Sequence, residues 1–328
     1  MLPDAHAGSL VGLPGGRTLV PQELTNLDAW IVERRPARNH VDPGRPYAFL
    51  AEQERSRGGE IVAVNTIFLT NRECPWRCLM CDLWKNTLTE SVPGGAIPAQ
   101  IAYALARLPA ARHIKLYNSG SFFDPRAIPV EDYPAIAALL RSFERVIVES
   151  HPTLIGEDVL RFRDMLSGGL EVAMGLETVH PDVLPSLNKR MTLDQYRAAA
   201  ERLRANEIDL RAFVLVKLPF VQDSEAVAWA ARSLDFAFDC GATVASLIPT
   251  RSGNGAMEAL DFAPPSIAML EESLEYGLHA RRGRVFADLW DLQRSSHCDA
   301  CFAARAARLQ HMNLQQSILP RVSCEGCA

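Results

Sequence analysis

From about residue 60 onward, short apolar runs alternate with amphipathic segments along the chain. Ile61–Leu69 is a nearly continuous run of apolar and β-branched residues, which is typical of a strand buried on both faces. Similar runs predict five more strands, at His113–Asn118, Arg145–Ser150, Glu171–Glu177, Arg211–Leu218 and Thr243–Pro249. Apolar residues at helical spacing predict the intervening helices, at Ile97–Leu108, Asp132–Ser142, Glu157–Met165, Leu193–Asn206 and Ser224–Asp239. This alternation indicates an α/β protein built from βαβ units with a parallel sheet.

Residues 1–58 follow a different pattern and are interpreted as an N-terminal extension. A short helix is predicted over Pro21–Val32, because Leu24, Leu27 and Ile31 share one helical face. The segment after it is the most basic in the chain and carries these arginines: Arg34, Arg35, Arg38, Arg45, Arg55 and Arg57. It is either a solvated, loosely packed lead-in or an arm that binds phosphate or RNA, whose phosphates match the arginine fork. The alternating core then spans residues 59–260, and a C-terminal region spans 261–328.

The composition is that of an ordinary globular protein, with 48% hydrophobic and 22% charged residues among 328. A net charge of -5 excludes a protein that coats nucleic acid, although a local basic patch can still hold one RNA. The chain has no apolar run long enough for a transmembrane helix and no basic stretch before the apolar N-terminus, so we expect a cytoplasmic protein. Eight cysteines in such a chain indicate thiolate metal ligands and not disulfides.

Three of these cysteines, Cys74, Cys78 and Cys81, stand on one short segment with the spacing Cys-x3-Cys-x2-Cys. A cubane 4Fe–4S cluster normally takes four thiolates, so three from one segment leave one iron open to a substrate or cofactor. A structural zinc site usually takes four ligands as two separated pairs, which this segment does not supply. Three cysteines so close together also cannot all be core residues of one helix or strand. The segment therefore predicts an iron–sulfur cluster with an open corner.

This cysteine pattern and its position after a buried strand resemble the radical S-adenosylmethionine (SAM) superfamily. The resemblance implies a partial (β/α)6 TIM-like barrel, a 4Fe–4S cluster, and SAM bound at the open iron through its amino and carboxylate groups. It also implies an electron donor such as flavodoxin or ferredoxin, reductive cleavage of SAM, and hydrogen abstraction by a 5′-deoxyadenosyl radical. Many members have an aromatic residue just before the third cysteine, where this chain has Met80, with Trp76 nearby.

In α/β barrels the active site lies at the carboxyl ends of the strands, so the residues after each predicted strand are candidates. Ser119 and Gly120 follow the second strand, where family members place a glycine-containing motif that holds the SAM amino group. Glu149 and His151 end the third, where they could meet the ribose, the methionine amine or the substrate. For His151, which precedes a proline, the alternative is a simple turn residue.

Glu177 ends the fourth predicted strand within Gly175-Leu176-Glu177-Thr178. This element, with the Asn and basic residues that follow it, resembles the branch of the superfamily that contains the elongator catalytic subunit and the tRNA methylthiotransferases. In that branch the strand-end glutamate lies close to the SAM ribose. A surface salt bridge from Glu177 to Lys189 or Arg190 is the alternative.

Two further basic residues are candidates at strand ends. Lys217 interrupts the apolar run of the fifth strand, and a lysine there must be paired or line the cavity, so it is a candidate for the SAM carboxylate or the substrate. Arg251 lies in a glycine-rich loop after the sixth strand, where adenine or substrate could approach the backbone. A plain flexible loop is the alternative. Upstream of the tail, Asp288, Trp290 and Asp291 either face the barrel mouth or are surface residues, of which we favour the second.

The C-terminal tail carries two Cys-x2-Cys pairs, Cys298 with Cys301 and Cys324 with Cys327. Four thiolates fit either tetrahedral zinc or an auxiliary 4Fe–4S cluster, and spacing does not select between them. Zinc would clamp a predicted helix at Phe302–Leu314 to the tail, whereas a cluster would pass electrons or bind substrate.

Within the superfamily, the strand-end elements and paired tail cysteines look most like a subgroup that includes the archaeosine-forming radical SAM subunit, which acts on a modified base in tRNA. Three hypotheses follow. The first is a radical enzyme acting on a modified RNA nucleoside, with RNA or a second enzyme as partner. The second is a radical enzyme acting on a small metabolite. The third is a non-catalytic iron–sulfur or zinc protein.

Overall fold

The computed structural model describes residues 26–327 and shows one sheet whose strands follow in chain order. The strands are β1 (Ala48–Arg55), β2 (Ile61–Phe68), β3 (His113–Tyr117), β4 (Arg145–Ser150), β5 (Gly169–Glu177), β6 (Asp209–Val216), β7 (Val244–Pro249) and β8 (Arg284–Ala287). β1 pairs antiparallel with β2, and every later neighbour pairs in parallel. The six predicted strands are confirmed as β2 to β7, with small shifts at their ends.

Helices connect the strands as the periodicity predicted. Those in the described residues are α1 (Leu27–Glu33), α2 (Ala96–Leu105), α3 (Tyr133–Leu139), α4 (Glu157–Met165), α5 (Val183–Ser186), α6 (Leu193–Ala205), α7 (Ala226–Asp239), α8 (Ala256–Ala259), α9 (Ile267–Ala280) and α10 (Asp299–Gln315). The main apolar core lies between the sheet and the helices that cover it. Within the described residues, no helix is long and apolar enough to cross a membrane.

Most helix boundaries differ from the predictions by a few residues, and the differences at α1 and α10 have a structural explanation or consequence. α1 begins at Leu27, because the side chain of Asn26 accepts the backbone N–H of Ala29 at 3.0 Å and caps the helix there. The rest of the predicted Pro21–Val32 helix, residues 21–25, lies outside the described residues. α10 is longer than predicted and begins at Asp299, so that Cys301 lies in its first turn.

Two strands were not predicted, and both lie at the edges of the sheet. β1 falls in the segment that we considered as a loosely packed lead-in, an interpretation that is wrong for these residues. Its C-terminal half, Glu-Gln-Glu-Arg, carries no apolar residue, and β8 is only four residues long, so neither gives a hydrophobic signal. The division at residues 58 and 260 stays a prediction, and the sheet runs across both positions.

The sheet curls into a half-barrel, which confirms the predicted fold class. α10 packs against both edge strands, β1 and β8. The side-chain amide of Asn313 bonds the N–H and C=O of Ala287 at 2.8 and 2.9 Å, and that of Gln316 bonds the same groups of Val285 at 2.8 and 2.9 Å. The C-terminal helix therefore satisfies the backbone of an edge strand and covers the opening of the barrel.

Charged side chains, not apolar ones, link β1 to the strands across the sheet. Arg211 of β6 bonds Glu54 of β1 and Glu171 of β5, each at 2.6 Å, and Lys115 of β3 lies 2.7 Å from Glu54. Burial opposes ionisation of Glu54, but Arg211 and Lys115 outweigh it and hold the pKa of this carboxyl far below its usual range. The inward face of β1 is thus polar because its partners are charged.

Candidate metal and cofactor site

The segment that carries the three clustered cysteines, residues 70–82, is called the cysteine loop below, and it starts from a fixed point at the carboxyl end of the sheet. The N–H of Leu69 donates to the carbonyl of Tyr117 at 2.7 Å, which continues the pairing of β2 with β3. The side-chain amide of Gln100, on α2, bonds the N–H of Thr70 at 2.8 Å and its carbonyl at 2.7 Å. The sheet and α2 together therefore set where the loop departs.

Glu73, directly before the first cysteine, is held by three arginines. Its carboxylate lies 2.8 Å from Arg35 and 2.9 Å from Arg77, contacts Arg38 as well, and is only 9% exposed. Burial opposes ionisation, but hydrogen bonds from Arg38 and Arg35 keep the pKa of Glu73 below its usual value. Arg35 and Arg38 also lie over the Trp84 ring. The loosely packed interpretation is therefore wrong for these two arginines, which hold the cysteine loop.

Two asparagines from later segments of the chain donate hydrogen bonds to the backbone carbonyls of the cysteine loop. The Asn188 amide, after β5, donates to the carbonyl of Arg77 at 2.7 Å. The Asn254 amide, after β7, donates to the carbonyls of Leu79 at 2.7 Å and Cys81 at 3.2 Å. The conformation of the loop is thus specified by segments distant in sequence, which the residue spacing alone did not reveal.

The three thiols of the loop are half-buried and lie close enough to influence one another's ionisation. Burial raises the pKa of Cys78 to about 12, although the nearby Lys189 acts in the opposite direction. Donor atoms that all lie within 4.8 Å of one another, as the ligands of one metal ion do, occur among the described residues at the C-terminal cysteines but not in the cysteine loop. Sulfurs that are near each other but further apart than the ligands of one ion fit a cluster in which each thiolate binds a different iron.

The Ser119–Gly120 turn lies directly against the first cysteine. A Cβ on Gly120 would lie 2.9 Å from the Cβ of Cys74, so this close approach requires glycine. Ser119 has a left-handed φ of 54° and its hydroxyl lies 3.0 Å from that of Tyr47. The side-chain amide of the fully buried Asn118 has no hydrogen-bond partner at either its nitrogen or its oxygen. An orphaned buried amide beside the loop is what a site for a polar cofactor leaves when the cofactor is absent.

The Glu149 carboxylate accepts hydrogen bonds from the backbone of the Ser119–Gly120 turn and the residue before it. Its Oε1 accepts the N–H groups of Asn118 at 2.6 Å and Gly120 at 3.3 Å. Burial raises the pKa of Glu149 to about 7, although these backbone N–H groups act in the opposite direction. The structure therefore gives Glu149 a positioning role that the sequence did not indicate.

His151 is committed to packing, as the turn interpretation predicted. Its ring stacks on Trp76 at 3.8 Å with an interplanar angle of 12°. One ring nitrogen lies 2.7 Å from the hydroxyl of Thr153 and the other 3.0 Å from the carbonyl of Lys189. Burial and the Lys189 charge lower the pKa of His151 to about 3. The neutral imidazole and the indole together cover one side of the cysteine loop.

Glu177 pairs with Lys189 at 2.6 Å, as in the alternative interpretation, but both residues are buried, so the pair is not on the surface. The SAM contact of Glu177 stays a prediction. Glu177 has a φ of 62° beside a bulge in β5. A Cβ on Gly175 would lie 2.2 Å from the Glu177 carboxylate and 2.4 Å from the Lys189 ammonium, so the pair needs this glycine. Burial lowers the pKa of Lys189, but Glu177 and the sulfurs of Cys78 and Cys74 raise it overall. Lys189 therefore places a positive charge beside the thiolates, which our sequence analysis missed.

Lys217 and Arg251, the two other predicted contacts, have partners of their own. Lys217 lies just past β6 with a φ of 56°, 2.8 Å from Asp223. Arg251 pairs with Asp288 and donates to the carbonyl of Trp290 at 3.1 Å. Asp288 is thus not a simple surface acid, and the cofactor or substrate contacts of Lys217 and Arg251 stay predictions.

Aromatic side chains form a continuous series along the strand ends near the cysteine loop. Phe68 is the last residue of β2. Its ring centroid lies 5.6 Å from that of Tyr47, 6.2 Å from that of Tyr117 and 6.5 Å from that of Trp290. Tyr117 in turn lies 6.1 Å from Phe213 of β6. Trp290 is 62% exposed. These five residues are called the aromatic wall below, and sequence patterns could not identify it because its members come from five separate segments.

Comparison with known proteins finds no matching family model. Among curated proteins, the chain is 26% identical to an uncharacterized protein of Methanocaldococcus jannaschii, over 67% of this chain and 64% of that protein. It is 24% identical to the archaeosine synthase subunit beta of Methanosarcina acetivorans, over 64% of this chain and 65% of that protein. The chain therefore spans less than two thirds of the length of these curated relatives.

Three solved structures share part of the fold. The first is the radical S-adenosylmethionine methyltransferase TsrM of Kitasatospora setae, with tryptophan and a SAM analogue bound, which matches with a TM-score of 0.45 and 16% identity over 59% of this chain and 37% of that one. The second is Elp3 of Methanocaldococcus infernus, with a TM-score of 0.46 and 12% identity over 58% of this chain and 51% of that one. The third is methylornithine synthase, with a TM-score of 0.48 and 12% identity over 68% of this chain and 65% of that one. Since all three scores lie below 0.5, the function proposed below depends on the residues of this chain. The first of the three structures is described as a radical S-adenosylmethionine methyltransferase.

Proposed function

We propose that the chain is a radical SAM enzyme. Cys74, Cys78 and Cys81 would hold a 4Fe–4S cluster, and SAM would bind beside it. The observation that carries the proposal is the cysteine loop itself: its three thiols lie near one another beyond the carboxyl end of β2, but further apart than the ligands of a single ion. When bound, the cluster supplies the electron that cleaves SAM and so makes the radical available.

The protein residues around the loop bind and orient this cofactor. The backbone of the Ser119–Gly120 turn and the orphaned amide of Asn118 offer polar groups to the methionine end of SAM. Glu177 offers a carboxylate to the ribose, and Lys189 balances the negative charge of the thiolates. Trp76, stacked on His151, excludes water from one side. Glu177, Lys189 and Trp76 are preorganised by contacts already present in the protein, as a site that stabilises charge requires.

The test is anaerobic reconstitution with iron and sulfide, followed by dithionite and SAM, with 5′-deoxyadenosine measured by chromatography. We expect the wild type to release 5′-deoxyadenosine and Cys78→Ser to release none. Cys240→Ser is the matched control, because Cys240 is a buried cysteine at the end of α7, outside the loop. A wild-type protein that holds the cluster but leaves SAM intact contradicts the proposal.

For the substrate, we propose a nucleoside in RNA. Two observations support this class: one relative is named archaeosine synthase subunit beta, and the aromatic wall offers flat faces to a base. Stacking on such rings contributes about 1–3 kcal/mol per base. Arg45 lies close to the end of β1 that pairs with the carboxyl end of β2, and its side chain is 62% exposed, so phosphates can reach it although it lies 3.7 Å from Asp42.

A small metabolite is the second candidate, favoured by the use of Arg35 and Arg38 inside the protein and by the net charge of -5. Binding of unmodified and modified tRNA at several salt concentrations separates the two. An RNA enzyme shows affinity that falls steeply with salt and weakens in Trp290→Ala, whereas Tyr276→Ala, an exposed aromatic on α9, leaves it unchanged. If tRNA shows no salt-dependent binding, the small-metabolite hypothesis is favoured.

A further inference from the structure

The tail cysteines form a second cluster of sulfurs, separate from the cysteine loop. Cys298 is the residue before α10, Cys301 lies in its first turn, and Cys324 comes from the chain that returns along the helix. Their sulfur atoms all lie within 4.8 Å of one another, and those of Cys298 and Cys324 are 3.8 Å apart. The arrangement brings residues far apart in sequence to one point.

This spacing discriminates between the two kinds of metal site that four thiolates can form. Thiolates bound to one zinc at about 2.3 Å in a tetrahedron stand about 3.8 Å from each other. In a cubane cluster each thiolate binds a different iron, so the sulfurs stand further apart. In the described part of the chain, the sulfurs of the tail cysteines are close enough together to bind one zinc ion, and those of the cysteine loop are not. The tail therefore suits a single ion, and the loop suits a cluster.

The rest of the tail is folded to maintain this geometry. The side chain of Arg308, on α10, donates to the carbonyls of Pro320 at 2.8 Å and Leu319 at 2.6 Å, which fixes the returning chain against the helix. Arg305 lies beside the Cys301 sulfur and pairs with Glu271 of α9. The positive end of a 17-residue helix also favours thiolates at its N-terminus.

We propose that Cys298, Cys301 and Cys324 bind a single structural zinc ion. Cys327 is the expected fourth ligand, from the Cys-x2-Cys spacing; its side chain lies outside the described part of the chain. The ion clips the returning tail to the start of α10, the helix that covers the opening between β1 and β8. Its role is to hold the barrel closed, and it does not depend on the chemistry proposed for the cysteine loop.

The experiment is metal analysis of anaerobically purified and reconstituted protein by mass spectrometry, on the full chain. We expect one zinc and four irons per chain in the wild type. Cys298→Ser/Cys301→Ser loses the zinc and keeps the iron, whereas Cys74→Ser/Cys78→Ser loses the iron and keeps the zinc. Cys240→Ser keeps both. If the tail variant instead loses about half of a doubled iron content, the site is an auxiliary cluster; if it loses neither metal, there is no site.

A second measurement removes the dependence on a folded variant. Zinc-edge X-ray absorption of the wild type is expected to show about four sulfur neighbours at about 2.3 Å. A shell of nitrogen and oxygen neighbours, or the absence of zinc, overturns the proposal. Release of 5′-deoxyadenosine by the same preparation is unaffected by either result, so failure of the zinc site is distinguishable from failure of the radical SAM function.

Discussion

At the scale of single residues, one carboxylate decides where the first cysteine stands. Glu73 is adjacent to Cys74 and is shared by three guanidinium groups from two segments. The sequence showed the cysteines, because their spacing is local, and it showed Arg77 four residues after Glu73. It could not show that Arg35 and Arg38 reach the same carboxylate, because only the folded chain brings them there.

The first prediction concerns this carboxylate. Glu73→Gln leaves the largely buried Arg35 and the half-buried Arg38 and Arg77 without a counter-charge, which we expect to lower the free energy of unfolding by about 3 kcal/mol. Urea unfolding of the reconstituted protein measures it. The control is Glu33→Gln, whose side chain is 74% exposed and which should change little. Equal, small effects of both substitutions would show that Glu73 does not anchor the loop.

The second prediction concerns pH. A carboxyl whose pKa rises on folding, as for Glu149 from 4.5 to about 7, binds more protons in the folded state than in the unfolded state. Its contribution to stability is therefore complete below about pH 4.5 and is lost as the pH rises through about 7. Glu149→Gln keeps an oxygen that accepts the turn N–H groups, so we expect it to flatten this decline. Unfolding measured from pH 5 to 8 tests this; an unchanged slope rules it out.

The third prediction concerns the contact between the turn and the loop. Gly120→Ala places a Cβ 2.9 Å from the Cβ of Cys74, and overpacking of this kind costs about 2 kcal/mol. Because the displaced atom belongs to Cys74, a proposed cluster ligand, we also expect a lower iron content and weaker SAM binding. Gly94→Ala is the control, since nothing lies within 4 Å of its added Cβ. Wild-type iron content in Gly120→Ala would contradict this contact.

At the scale of elements, the strands with apolar side chains on both faces could be predicted and those with polar ones could not. β2 to β7 gave continuous hydrophobic runs, so the sequence located them closely. β1 has only Glu54 buried, and this residue is stabilised by Arg211 and Lys115 from distant strands. A pattern based on hydrophobicity cannot detect a strand whose partners are ion pairs.

The fourth prediction tests how α10 is attached to the sheet. Asn313→Ala/Gln316→Ala removes four hydrogen bonds to the β8 backbone, which at about 1 kcal/mol each lowers the free energy of unfolding by about 3–4 kcal/mol. Hydrogen exchange at Val285 and Ala287 should accelerate as well. Gln310→Ala, exposed on the same helix, leaves both quantities unchanged. Slow exchange at β8 in the double variant would mean that other contacts hold the edge.

At the scale of the whole molecule, the parts serve one site. The N-terminal segment supplies the arginines at Glu73, the strand ends supply the turn and the Glu177–Lys189 pair, and the C-terminal helix covers the opening between the edge strands. The sequence alone predicted the cysteine ligands and the candidate turn. It did not predict the asparagine contacts, the Lys189 charge or the aromatic wall, since each depends on residues joined only by the fold.

The proposed function depends above all on a cluster in the cysteine loop with one iron open to SAM. Electron paramagnetic resonance of the anaerobically reconstituted and reduced protein, with and without SAM, observes such a cluster. We expect a 4Fe–4S signal that shifts when SAM is added and is absent in Cys78→Ser. A wild-type protein with no such signal, or with one that SAM leaves unchanged, would contradict it.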